Sequence, residues 1–113
     1  MNKSLQMFFL LVVSKDSQTV AEDLRGLAAS MTVKGYKVVV FFSEDSVELL
    51  KADRNELKSL PGGVKMLACR TAVKDHGLNG IEDMILGAEM SSLGKLVELL
   101  DEADRCIFLG DTH

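Results

Sequence analysis

The chain has no tryptophan, one proline and two cysteines among its 113 residues. A lone proline, Pro61, leaves long stretches free to form uninterrupted helices and strands. Cys69 and Cys106 are too few for a disulfide framework, and no CxxC pair occurs. His76 and His113 are the only histidines, and nothing spaces them with the cysteines as metal ligands, so no metal is expected. Neither a GxGxxG nor a P-loop pattern is present. The turn Ser14-Lys15-Asp16-Ser17 lacks the glycine that would let a phosphate reach the backbone. No cofactor is expected on those grounds.

Clustered basic residues are missing too. Thirteen lysines and arginines stand against seventeen aspartates and glutamates, a net charge of −4. That balance argues against a nucleic-acid or anionic-membrane partner. The apolar run Met7 to Val13 has seven residues, far short of the roughly 20 needed to span a bilayer. With Lys3 before it, the run mimics a weak secretory signal, but no small-x-small cleavage pattern follows. It reads instead as a buried strand, and the protein is expected in the cytoplasm.

What is present is an alternation of apolar runs and helical patterns within a length that fits one domain, residues 1–113. The first strand is expected over Leu5 to Val13. Asp16 or Ser17 can cap the helix that follows, with Thr19 and Glu22 at capping-box spacing. Val20, Leu24, Leu27, Ala28 and Met31 form one apolar helical face, and Gly35 ends it. Val38 to Phe42 is a second strand. A short helix should start at Ser43, with Glu44 and Asp45 in its first turn. After the turn Pro61-Gly62-Gly63, Val64 to Ala68 forms a third strand, and a third helix begins at Cys69. Gly87 to Met90 is a fourth strand. Ser91 or Ser92 caps a helix whose apolar face is Leu93, Leu96, Val97 and Leu100, and Cys106 to Leu109 is the last strand.

Near-continuous apolar strands alternating with helices predict an α/β protein: a three-layer α/β/α sandwich around a mostly parallel five-stranded sheet. In such sheets reactive groups gather beyond the carboxyl ends of the strands. Cys69 lies at one such end, and Ser14, Ser43, Ser91 and Ser92 should share its rim. A thiol acts as a nucleophile only as thiolate. The start of the following helix, with Arg70, Thr71, Lys74 and His76 nearby, would form the thiolate's surroundings. His76 lies about 10 Å along a helix from Cys69, so the spacing argues against a direct Cys–His pair. The competing reading is that Cys69 is a small buried hydrophobe, as Cys106 is expected to be.

The segment Cys69-Arg70-Thr71-Ala72-Val73-Lys74-Asp75-His76-Gly77-Leu78 resembles the strand–Cys–helix–(Arg/His)-Gly-(Leu/Val) segment of the DsrE/DsrF-like family, which includes the TusD subunit of a sulfur relay. The opening strand and helix, Val40 to Leu50, and Ile85 to Met90 with Leu93 to Phe108 resemble the family's other portions in the same order. The resemblance implies a small α/β/α sandwich that assembles as trimers or hexamers. It implies that the cysteine matching Cys69 accepts sulfane sulfur as a persulfide and passes it to another protein's thiol. Relay subunits carry a basic pair before the glycine, where this chain has Asp75 and His76.

Three functions are therefore set against each other. The first is a sulfur carrier or sulfurtransferase-like protein using Cys69, with donor and acceptor proteins as partners. The second is a non-catalytic homo-oligomeric module with Cys69 inert. The third is a thiol redox sensor, which the lack of a nearby resolving cysteine disfavours.

Overall fold

Five strands form one sheet in the computed structural model of the chain, which describes residues 6–85 and 87–110. The expected strand start at Leu5, together with Leu86 and His113, lies outside the described residues. The strands are β1 (Phe8–Val13), β2 (Lys37–Phe42), β3 (Lys65–Cys69), β4 (Ala88–Ser91) and β5 (Arg105–Leu109). Their order is β4-β3-β2-β1-β5, and every pairing between them is parallel. The sheet is thus wholly parallel, where mostly parallel was expected. Strands covered on both faces need apolar side chains on both, which is why β1 and β2 read as unbroken runs. Leu10, Leu11, Val13, Val40, Phe41 and Phe42 are fully buried there.

Helix α1 (Gln18–Val33) starts at Ser17, whose hydroxyl accepts the Val20 N–H at 3.1 Å. Ser17 has extended backbone dihedrals, as an N-cap must, so Thr19 and Glu22 fall inside the helix and the expected capping box is not used. Gly35 ends the turn at φ +82°, a left-handed conformation that suits a residue without Cβ. Ala21, Leu24, Ala28 and Met31 form its buried stripe.

The segment after β2 is a 3₁₀ helix, Glu44–Leu50, where a short α-helix was expected. Glu44 has φ +53°, which no α-helical turn accommodates. The buried Ser46 hydroxyl holds the turn from below. Its Oγ lies 2.8 Å from the Val13 carbonyl oxygen and 2.7 Å from that of Ser43. The remaining helices among the described residues are α2 (Arg70–Asp75), a 3₁₀ turn at Ile81–Asp83, and α3 (Leu93–Glu102).

The chain moves stepwise from β1 to β4, then returns across the sheet to β5. Right-handed connections put the first three links on one face and α3 alone on the other. One ten-residue helix cannot cover five strands. Accordingly only Leu99 of α3 is buried, while Leu93, Val97 and Leu100 are 57%, 66% and 41% exposed. The apolar face read from the sequence exists, but this chain leaves most of it open.

Candidate functional site

The strand registers bring the expected rim together. Val13, Phe42, Ala68 and Met90 stand level across β1, β2, β3 and β4. One residue further lie Ser14, Ser43 and Cys69, with Ser91 the register partner of Cys69. Alternate residues of a strand share a face. Leu67 is level with Phe41, Phe41 with Val12, and Val12 with Phe108. Cys69, two residues beyond Leu67, therefore points to the same face as Val12 and Phe108. That is the face α3 leaves partly uncovered.

An open cleft of about 630 Å³ occupies this place. Its floor holds Ser14, Ser43 and Cys69 at the ends of the first three strands. One wall is apolar: Val12, Leu93, Leu96, Phe108 and Leu109. The other is polar: Glu44 and Asp45 from the 3₁₀ segment, Thr71 and Asp75 from α2, and His76 at its end. The volume is of the order that small-molecule sites have.

Cys69 is 5% exposed, and its side chain makes no capping bond to α2. The thiol sits on the cleft floor, so a reactant meets it only from the cleft. Of its expected surroundings, Thr71 and His76 line the cleft. Arg70 and Lys74 are exposed on α2 outside that lining. Ser91 is buried inside β4, and Ser92 caps α3 by accepting the Lys95 N–H at 3.1 Å. Neither serine lines the cleft. Cys106 is partly buried on β5, and burial pushes its thiol pKa up.

His76 is engaged by carboxylates. Its Nδ1 donates to Glu48 Oε2 at 2.7 Å, and its Nε2 lies 3.2 Å from Asp45 Oδ1. The Glu48 hydrogen bond is the main cause of a raised imidazole pKa, against the opposing effect of burial. The same bond lowers the Glu48 pKa below its ordinary value. With both ring nitrogens on carboxylates, His76 braces the 3₁₀ segment against α2, and neither nitrogen is left to deprotonate Cys69. Its long sequence distance from Glu48 hid this role.

A second brace lies behind the 3₁₀ segment. Arg54 Nη2 bonds Asp16 Oδ1 at 2.9 Å and Glu56 Oε2 at 3.0 Å. Arg54 holds the Glu56 carboxyl down to about 2. The loop before α1 is thereby tied to the loop after the 3₁₀ segment.

The acidic wall was missed by sequence reasoning, because Glu44 and Asp45 read as ordinary first-turn carboxylates. The signal was present in two acids just after β2 and a third at the end of α2, but only the sheet order places them around Cys69. Among the described residues no group of histidine, cysteine and carboxylate side chains is arranged to hold a metal ion. No helix among them is long and apolar enough to cross a membrane.

The model of the DsrE/DsrF-like family matches residues 7–109. The chain belongs to the DsrE/DsrF-like family. That family is generally linked to sulfur relay. Two solved structures share the fold. One is MTH1491 from Methanobacterium thermoautotrophicum, a protein of unknown function, 20% identical with a TM-score of 0.75, covering 91% of this chain and 99% of that one. The other is YchN from E. coli, 16% identical with a TM-score of 0.73, covering 93% of this chain and 100% of that one. Among curated proteins, none matches.

Proposed function

We propose that this protein is a sulfur carrier that takes up sulfane sulfur as a persulfide on Cys69 and delivers it to a partner thiol. The observation that carries the reading is the placement of Cys69 on the floor of the cleft, at the strand-end rim of a DsrE/DsrF-like fold. The Cys69 thiolate attacks the outer sulfur of a donor persulfide. A new bond forms from Sγ to that sulfur, the donor's own S–S bond breaks, and the donor leaves as a thiolate. An acceptor thiolate then attacks the outer sulfur in turn, and Cys69 is released as thiolate. No external oxidant or reductant enters either step.

Intact-mass analysis after incubation with a persulfide or polysulfide donor tests this. The native protein should gain one sulfur atom that a reductant removes, and Cys69→Ser should gain none. An unchanged native mass across all donors, with the cysteine reacting only after unfolding, would overturn it. That outcome would favour the second reading, an oligomeric module in which Cys69 is packing, which its low exposure favours.

Self-association belongs to the same proposal, as a homo-oligomer with further copies covering the open stripe. Leu93, Val97 and Leu100 of α3 are exposed, as is Phe108 at 55%, and Leu93 and Phe108 line the same cleft, which is more large apolar surface than a monomer usually leaves bare. Light scattering should give a multiple of the monomer mass. Val97→Asp with Phe108→Asp should shift it to monomer while the far-ultraviolet circular dichroism stays unchanged. A native protein that is already monomeric at high micromolar concentration would refute this.

A further inference from the structure

The two walls of the cleft differ in a way the sulfur-carrier reading does not use. The polar wall carries three carboxylates, Glu44, Asp45 and Asp75, and one imidazole, His76. Its net charge is −2 with His76 protonated and −3 without. Glu48, bonded to His76, adds a further carboxylate just behind. The cations Lys15, Arg70 and Lys74 are exposed and do not line the cleft, and Lys95 of α3 lies 3.7 Å from Glu98. The opposite wall of Val12, Leu93, Leu96, Phe108 and Leu109 contributes no charge. Between them sits Cys69, whose nearly buried thiol takes no hydrogen bond from α2 and opens on the cleft.

A cleft lined by one sign of charge with apolar material opposite concentrates the counter-charge and repels its own. Anything that reaches Cys69 must pass between these walls. We infer that the cleft selects low-molecular-weight persulfides bearing a positive charge, such as those of aminothiols, and rejects anionic ones. The inference rests on Cys69 as the sulfur acceptor and adds the class of donor to it. The volume admits a small aliphatic aminothiol persulfide, with its carbon chain against the leucines and its ammonium toward the acids. An anionic donor would bring its charge against the same carboxylates. The acids are exposed, so screening places the discrimination near the low end of the range for focused fields, about tenfold.

The test uses the full chain in a Cys106→Ser background, and has two arms. In the first, Cys69 reacts with aminoethyl and with sulfonatoethyl methanethiosulfonate. The thiolate forms a disulfide with the probe's sulfur, and methanesulfinate leaves. Each rate is divided by the same probe's rate with a small uncharged thiol. The normalised rate for the cationic probe should exceed that for the anionic probe by about tenfold at low salt. The ratio should fall toward one in Glu44→Gln/Asp75→Asn, and also at high ionic strength. In the second arm, persulfides of cysteamine and of mercaptoacetate are compared by sulfur gain, with the same order expected. Equal normalised rates, a preference that survives the double substitution, or no reaction of the folded protein with either probe would each overturn the inference. The two readings fail separately. Sulfur gain at equal rates from both donors keeps Cys69 as acceptor and removes the selectivity. Probe selectivity with no sulfur gain from either donor removes the carrier reading and with it the donor class.

Discussion

Replacing Gly110 with alanine should lower the unfolding free energy by about 2–4 kcal/mol, the sum of backbone strain and overpacking. Gly110 has φ +109°, a conformation that a side chain makes costly. A Cβ built there would stand 2.8 Å from Ser14 Oγ, 2.8 Å from Lys15 Cγ and 2.9 Å from the Lys15 backbone nitrogen. The side-chain atoms can swing away; the backbone nitrogen cannot. The squeeze falls where the end of β5 meets the end of β1, whose Ser14 N–H donates to the Leu109 carbonyl at 3.1 Å. This is the point where the strand order reverses, and residues of both strand ends line the cleft. Urea unfolding of Gly110→Ala beside Gly62→Ala checks the claim. Gly62 has open space around its Cβ position and no left-handed φ, so its substitution should change stability by less than about 1 kcal/mol. Equal effects at the two positions would show that the close approach at Gly110 carries no energetic weight.

Substituting His76 with glutamine should cost about 1–2 kcal/mol at pH 5.5 and far less at alkaline pH, because the wild type loses the charge-assisted bond as the imidazole deprotonates. His76 has a folded pKa above its ordinary value of 6.5. The stability it contributes is therefore fully present below 6.5 and is lost as pH rises through the folded value. Glu48 runs the other way. Its folded pKa lies below its ordinary 4.5, so its contribution is present above 4.5 and lost as pH falls through the folded value. Both statements describe one bond, which is at full strength between about 4.5 and 6.5. A cycle of His76→Gln, Glu48→Gln and the double variant, measured by urea unfolding across pH, isolates it. The coupling should peak in that window and shrink on both sides. A coupling constant in pH from 5 to 9 would mean that the pair is not held as a charged bond. Since this bond braces Asp45 and the 3₁₀ segment against α2, its loss should also loosen the acidic wall beside Cys69.

Much of the fold is local chemistry and was therefore legible. Val38 to Phe42 and Met7 to Val13 could only be strands buried on both faces, and buried strands on both faces meant a parallel sheet. Ser17 and Gly35 bounded α1 by their own conformational preferences. The position of Cys69 at a strand end was readable for the same reason, and so was the row it shares with Ser14 and Ser43. Local pattern misled where a neighbour far along the chain intervened. Ser46 reaches back to the Val13 carbonyl, and the segment expected as an α-helix winds as a 3₁₀ helix. The Arg70 and Lys74 charges expected around the thiol sit on the outer side of α2.

By itself, then, the order of apolar runs, caps and turns determined the strands, the main helices and the rim on which Cys69 stands, because those depend on residues within a few positions of each other. Tertiary structure alone decided which loops became neighbours. The order β4-β3-β2-β1-β5 put Phe108 opposite Val12 and left α3 alone on one face, with its stripe uncovered. It also brought Asp45 and Glu48 to His76, turning an expected neighbour of the thiol into a brace. Periodicity carries no information about such pairings, since a strand or helix of given amphipathicity packs equally well beside several others. The choice among them is made by the whole sheet at once.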